Sequence, residues 1–331
     1  MRPSSGEAWA CGTIRLSTLV ALALARRAGA AGGRAGHLSV PDDSMSGVTA
    51  NEFAEAAHTH LPAELADRWI ATLRPGLHLR PATPGEPVAC RLGGNPRLPE
   101  ATPWPEWPEH GPLTFIAEVD CAALPHGEFE PAFPATGSLL FFFFDGQLDD
   151  RRALVHGSVI DSQPGARVLY IEPGAEVAER SAPAGIRPYP GPCLAGDIVL
   201  TIPDCGHPDA VWAITDPDAE ALFDPEFTSA VHIPHRGPRH QLAGHAHPIQ
   251  GAVEYEVAVR SVTSATPAPS PDEEAYWAYA PVNEWHLLAQ FDTDSASEMM
   301  WGDGGTLYWL ITADDLVARR FDRARMTWQC H

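Results

Sequence analysis

Lysine is absent from this chain of 331 residues: all 22 basic residues are arginine, against 43 acids, and the formal net charge is −21. An acidic excess of this size excludes non-specific nucleic-acid binding, which needs basic charge to neutralise phosphates, and it disfavours anionic membrane surfaces. It suits solubility, or a basic protein partner. Together with 33 prolines and abundant alanine, the missing lysine reads as coding bias rather than mechanism.

Cysteine is sparse. Cys11, Cys90, Cys121, Cys193, Cys205 and Cys330 include no C-x-x-C pair, which excludes zinc-ribbon and thioredoxin-like spacings. They read as free thiols in a reducing cytosol. Cys205-Gly-His207 and Cys330-His331 offer isolated metal-ligating pairs. Long apolar runs are also missing. Leu16 to Ala25 is too short to span a bilayer, although it resembles a signal-peptide core with Ala23-Leu-Ala25 as a cleavage site. Arg26, Arg27 and Arg34 follow it, against a secretory signal; secretion would require residues 1–25 to act as one. Residues 1–44 are therefore read as an overlong start or disordered leader, with a cytoplasmic folded protein beginning near Met45. No P-loop, G-x-G-x-x-G, G-x-S-x-G, H-E-x-x-H or kinase set occurs, so no nucleotide cradle or nucleophile is singled out. Asp292-Thr-Asp294 with Glu298 and Asp303 lacks the glycine and glutamate spacing of an EF-hand.

What is present is a motif set that occurs twice. Leu113-Thr-Phe-Ile-Ala-Glu-Val-Asp120 precedes Gly137-Ser-Leu-Leu-Phe-Phe-Phe-Phe144, and Leu287-Leu-Ala-Gln-Phe-Asp292 precedes Gly305-Thr-Leu-Tyr-Trp-Leu-Ile311. A glycine turn leads into each copy, Leu92-Gly-Gly-Asn-Pro96 and Leu242-Ala-Gly-His-Ala246. Such a repeat fixes architecture before any other signal. It predicts an α+β protein, mainly antiparallel β, with an internally duplicated body of two halves (about 88–150 and 238–312). A groove between the halves is the expected ligand position. The predicted organisation is a leader over 1–44, N-terminal helices within 45–80 and one β-rich domain over 81–331.

Val48 to Leu73 carries a helical stripe broken at Leu61-Pro62, which predicts two helices. Pro81 to Pro112 is too proline-rich for a central strand and is expected to be an ordered loop with Trp104 and Trp107 packed onto the sheet. Strands are expected at Leu113–Val119, Leu139–Phe144, Leu154–Ile160, Ala166–Ile171 and Ile198–Ile202. Four consecutive phenylalanines require cover on both faces of their strand. A helix is expected at about Asp216 to Phe223. Val253 to Val262 alternates as a half-buried strand, Ser264 to Glu274 reads as a linker-like loop, Asp314 to Phe321 as a short helix, and Met326–Cys330 as a final edge strand.

The richest segment for chemistry is Arg239 to Gly251, which holds His240, Gln241, His245, His247 and Gln250. On a strand His245 and His247 would face one side, and paired imidazoles can bind zinc, nickel or copper, with Asp292, Asp294 or Asp303 completing the set. The same side chains equally suit hydrogen bonds to loop backbone. Aspartates at strand ends more often accept backbone N–H groups than perform acid–base work.

The chain resembles the YwqG-like family of bacterial proteins. The match is carried by Leu92-Gly-Gly-Asn-Pro-Arg-Leu-Pro99 with Trp104-Pro105, Phe115-Ile-Ala-Glu-Val-Asp120, Gly137-Ser-Leu-Leu-Phe-Phe-Phe143 and His240-Gln-Leu-Ala-Gly-His245 with Ile249-Gln250. It continues through Leu287-Leu-Ala-Gln-Phe-Asp292, Met300-Trp-Gly-Asp303 with Gly305-Thr-Leu-Tyr308, and Gln329-Cys-His331. The resemblance implies a compact, β-rich α+β cytosolic protein, with no activity attached. The chain departs from it at Glu118, where the family usually has Gln, and at Ala243 and Ala246, where Gly and Pro are common; His247 is not a family-typical position. The reading that follows is a non-catalytic binding protein with a groove lined by Trp104, His240, Gln241, His245, Gln250, Asp292, Trp301 and Asp303. Its ligand would be a small molecule or a basic protein, and no cofactor is predicted. The alternative is a metal-assisted hydrolase-type enzyme using His240, His245 and Asp292 or Asp303, and a third is a scaffolding role.

Overall fold

The computed structural model describes residues 50–232, 237–258 and 282–331. The expectations for the leader, Met45, Val259–Val262 and the Ser264–Glu274 loop lie outside the described residues. Two helices open the described chain, α1 (Ala50–His60) and α2 (Ala63–Ile70), broken at Leu61-Pro62 because proline cannot donate into the preceding turn. Their buried stripe of Phe53, Ala57, Leu65 and Trp69 meets Phe227, with the Trp69 and Phe227 rings 5.1 Å apart.

The body is one ten-stranded sheet. In chain order its strands are β1 (Arg74–Pro81), β2 (Cys90–Leu92), β3 (Thr114–Asp120), β4 (Ser138–Phe143), β5 (Ala166–Ile171), β6 (Cys193–Thr201), β7 (His240–Ala243), β8 (Trp285–Asp292), β9 (Thr306–Thr312) and β10 (Arg325–Gln329). Their spatial order is β10-β9-β8-β7-β1-β6-β2-β3-β4-β5, and every adjacent pair is antiparallel.

The duplication read from the sequence is written into the register. Leu92 pairs with Ala117 and Leu242 with Ala289. A bulge interrupts each following ladder at the same place, between Phe115 and Ala117 and between Leu287 and Ala289. The central β1–β6 pair is self-complementary, Leu79 facing Gly196 as Pro81 faces Leu194. The repeat is thus β1 to β5 and β6 to β10 about a pseudo-twofold axis, and the first strands are exchanged: β1 pairs with β7 and β6 with β2.

The sheet rolls until β4 and β9, near opposite ends of the strand order, face each other. Phe141 lies 5.3 Å from both Phe291 and Trp309, ring centre to ring centre. Leu139 to Phe143 are all buried, as four consecutive phenylalanines require. The outer edges approach as well: the Trp328 indole N–H donates to the Val155 carbonyl at 3.0 Å, and the Tyr170 and Phe321 rings are 5.5 Å apart.

Several elements differ from expectation for visible reasons. Val253–Ala258 is a helix, α5 in chain order after α3 (Trp212–Thr215) and α4 (Pro225–Ala230), rather than the start of a strand. Val253 and Val257 satisfy both periods, and burial of Val253, Glu254, Val257 and Ala258 follows the helical one. Leu154–Ile160 is not a strand: the hydroxyl of Ser162 accepts the His156 N–H, and Leu154 is 57% exposed. Within the proline-rich segment the window between Pro87 and Pro96 does enter the sheet, as β2. Arg97–Leu98 and Glu106–Trp107 also form two-residue ladders, with Ala178–Glu179 and Gly111–Pro112, while the tryptophans pack down as expected, Trp104 edge-on to Phe142 and Trp107 edge-on to Phe144. Asp216 caps a 3₁₀ helix over Pro217–Phe223, α6 (Ala313–Val317) is shorter than predicted, and β10 is the predicted edge strand. The cysteines Cys90, Cys121, Cys193, Cys205 and Cys330 are free thiols. Among the described residues no helix is long and apolar enough to cross a membrane.

Phe141→Ala should cost about 3–5 kcal/mol while keeping a single transition in urea, because the residue touches both halves. The glycine turns are equivalent, with φ of 56° at both Gly93 and Ala243, yet a Cβ on Gly93 would stand 2.5 Å from the Pro190 carbonyl oxygen. Gly93→Ala should therefore lose about 2 kcal/mol or more, whereas Ala243→Gly should stay within about 1 kcal/mol of the parent; chemical denaturation of both variants checks the contrast.

Candidate functional site

Two adjoining hollows lie where the segment after β6 meets the ends of β7, β8 and β9. The first, about 490 Å³, is polar and is lined by Asp204, Arg239, His247, Gln290, Asp292 and Thr306. The second, about 440 Å³, is apolar and is walled by Trp69, Trp212, Leu222, Phe223, Phe227 and Val231. Ile202, Pro203, Arg239 and His247 line both.

The fold fixes these walls through side chains that cap backbone. The Asp292 carboxylate accepts from the Arg239 N–H at 2.9 Å and from the Thr306 hydroxyl at 2.8 Å. Gln290, fully buried, accepts the His247 N–H at 3.0 Å and donates to the Arg239 carbonyl at 2.7 Å. Arg239 also donates to His247 Nδ1 at 3.1 Å. Asp204 turns the opposite wall by accepting the Gly206 N–H at 2.8 Å.

Behind this groove sits a buried polar cluster. His207 and His245 pack edge to face, ring centres 4.6 Å apart. The backbone N–H of Asp209 donates to His207 Nδ1 at 3.0 Å, and His207 Nε2 faces Glu254 at 3.5 Å. His245 Nε2 lies 2.7 Å from the Thr72 carbonyl oxygen. A carbonyl only accepts, so Nε2 carries the proton and Nδ1 the lone pair. Arg74, from β1, pairs with the Asp209 carboxylate and donates to His286 Nδ1 at 3.3 Å. Burial, reinforced by the Arg74 charge, lowers His207 to about 3; burial, then its His207 neighbour, lowers His245 to about 3. Burial raises Glu254 to about 7. The centre thus holds two neutral imidazoles and a carboxyl that takes up a proton readily.

The residues singled out from sequence distribute over several places. His247 and Asp292 line the polar hollow. Asp303 stands beside it, its carbonyl accepting the His331 N–H at 3.2 Å. His240 is buried elsewhere: its Nδ1 accepts the Asp292 N–H at 3.1 Å and its Nε2 is 3.5 Å from Asp294. His245 and His247 do not share a strand face, since β7 ends at Ala243; one enters the buried cluster and the other the groove. The Gln241 amide donates to the Ala243 and His245 carbonyls at 2.7 and 3.0 Å, and Gln250 donates to the Cys330 carbonyl at 2.8 Å; both shape loops. Trp104 is in the other half, its indole N–H donating to the Leu113 carbonyl at 2.8 Å. Trp301 packs between Phe143 and Tyr189. Sequence reasoning reached His207 only as a neighbour of Cys205 and missed Arg74, Asp209, Glu254 and His286. Their one local signal is the i, i+2 pair His207 and Asp209; only the fold assembles the rest.

The cluster predicts a pH signature. A raised Glu254 is neutral in the folded chain while the unfolded chain ionises near its ordinary value. Its contribution is therefore intact below about pH 4.5 and lost as pH rises through about 7. Glu254→Gln should stabilise the chain at pH 8 by about 2–4 kcal/mol and change little at pH 4, as read from thermal unfolding across pH. The depressed His207 and His245 act oppositely: their stability is present above pH 6.5 and lost towards about pH 3.

No curated protein matches the chain. A family model does, over residues 90–330, a span that holds β2 to β10, both glycine turns and all of the groove except Trp69 and Thr72 of its apolar wall and His331 of its polar one. The chain therefore belongs to the family described as Domain of unknown function (DUF1963).

Proposed function

We propose that the chain is a binding protein for a small molecule with an acidic head and an apolar body, held in the paired hollows beside β7 and β8. The observation that carries this reading is the position of Arg239 and His247, which stand on the wall common to a polar and an apolar hollow. A guanidinium there offers charge-assisted donors to a carboxylate or phosphate head, while the Trp212, Phe223 and Phe227 side removes an apolar body from water. Asp292 keeps its charge while accepting from the Arg239 N–H and the Thr306 hydroxyl, so the acidic head is placed against the Arg239 guanidinium and away from that carboxylate. The reading needs no catalytic group: Gln290 and Asp292 are spent on holding the walls of the groove.

Calorimetric titration with octanoate and phenylacetate should give saturable binding. Arg239→Ala should weaken it about tenfold or more, the loss of one hydrogen bond to a charged partner, and Trp212→Ala should weaken the apolar body's share. Absence of binding by either carboxylate at millimolar concentration, or an Arg239→Ala chain that binds like the parent, would refute the reading.

A further inference from the structure

We propose that His207, Asp209 and His245 form a site for one divalent transition-metal ion of the zinc class, behind the groove and independent of its ligand. One ligand atom from each of the three lies within 4.8 Å of the other two. Among the described residues no other group of three comes together in this way. Ligand atoms on a tetrahedral ion with bonds of about 2.1 Å stand roughly 3.4 Å apart. The cluster thus needs to tighten by only about 1–1.5 Å.

A second observation points to a ligand. His245 is 1% exposed, and its Nδ1 is buried without a hydrogen-bond partner. The Thr72 carbonyl holds the proton on Nε2, so the orphaned Nδ1 is a lone pair, the form in which imidazole binds metals. The Nε2–H to carbonyl bond is also the outer contact that orients metal-bound histidines. A buried lone pair with no donor is costly, and a cation beside it removes that cost.

The rest of the set fits the same chemistry. Two imidazoles and a carboxylate, leaving a fourth position, suit zinc, cobalt or iron in the divalent state. Arg74 occupies Oδ2 of Asp209, the oxygen nearest His207 Nδ1 at 3.8 Å, which leaves Oδ1 of the same carboxylate. His207 has both ring nitrogens in polar contact, with the Asp209 N–H and with Glu254, so it is the ligand that exchanges a contact when the ion binds. The Asp209 side chain is 29% exposed, which provides an entry path into a cluster otherwise closed. The ion would tie the segment after β6 to the exit of β7, the two walls between which Asp204 and Ala246 meet the polar hollow.

The test uses the whole chain, stripped with a chelator and titrated with Zn²⁺ and, separately, Co²⁺. The expected result is one Zn²⁺ per chain by plasma mass spectrometry and a visible Co²⁺ spectrum. A melting temperature about 5 °C higher at a hundredfold excess over Kd should accompany it. His245→Gln can keep an N–H for the Thr72 carbonyl and replaces the Nδ1 lone pair by a weaker amide-oxygen donor, so it should fold and bind at least a hundredfold more weakly. Asp209→Asn, at the exposed end of the cluster, should weaken binding at least tenfold. His240→Gln should bind as the parent does. No uptake by the parent chain would overturn the site whatever the variants do. Equal binding by a folded His245→Gln chain, or loss of metal in His240→Gln, would overturn it as well.

Discussion

The contact of Phe141 with Phe291 and Trp309 is where two otherwise separate requirements meet. A sheet of ten strands with a continuous apolar inner face must cover that face, and here it does so with itself. The right-handed twist common to β-strands favours such curling. Edge-to-face aromatic contact, available to rings of these sizes, joins strands that lie far apart in hydrogen-bonding order. Everything at the groove depends on this roll: the turn between β8 and β9, the last residues after β10 and the loop after β7 converge because β9 is held inward.

The halves are related but have been used differently. Glu118 and Gln290 occupy equivalent places one residue after the paired alanines. In the first half Glu118 is buried and accepts from Arg91 at 2.8 Å and Arg97 at 2.6 Å, so guanidinium groups close over the position. In the second half the neutral Gln290 spends its amide on the two chain segments flanking it, and open space remains beyond. The same repeat position thus holds a carboxylate in a filled corner and a neutral amide beside a hollow one. The glycine turns diverge in the same way: the Tyr189–Pro190 backbone covers Gly93, while Ala243 accepts a left-handed backbone and carries a methyl.

Much of the architecture was legible because the repeat is a one-dimensional signal. The two motif copies set Leu92 against Leu242 and Ala117 against Ala289, and the register keeps that equivalence by pairing Leu92 with Ala117 and Leu242 with Ala289. The phenylalanine run announced its own burial. What was not legible depended on distance in sequence. β1, at the centre of the sheet, sits in a stretch read mainly as helix, and its role is set by strands far along the chain. Val253–Ala258 fits two periods, and only its neighbours choose between them. At the site, His240, His245 and His247 cluster in sequence but separate in space, whereas Arg74, His207, His245, Glu254 and His286 are scattered in sequence and meet. Proximity along the chain was the wrong guide there, since a turn after Ala243 redirects each following side chain.

The exchange of first strands has a consequence for how the chain comes apart. Because β1 completes the sheet of β7 to β10 and β6 that of β2 to β5, the halves are linked like clasped hands rather than set side by side. Cutting the covalent connection between β5 and β6 would not release two particles. Each piece would still hold a strand of the other's ladder, and neither could leave without breaking backbone pairing in both. Opening the molecule is therefore a single event.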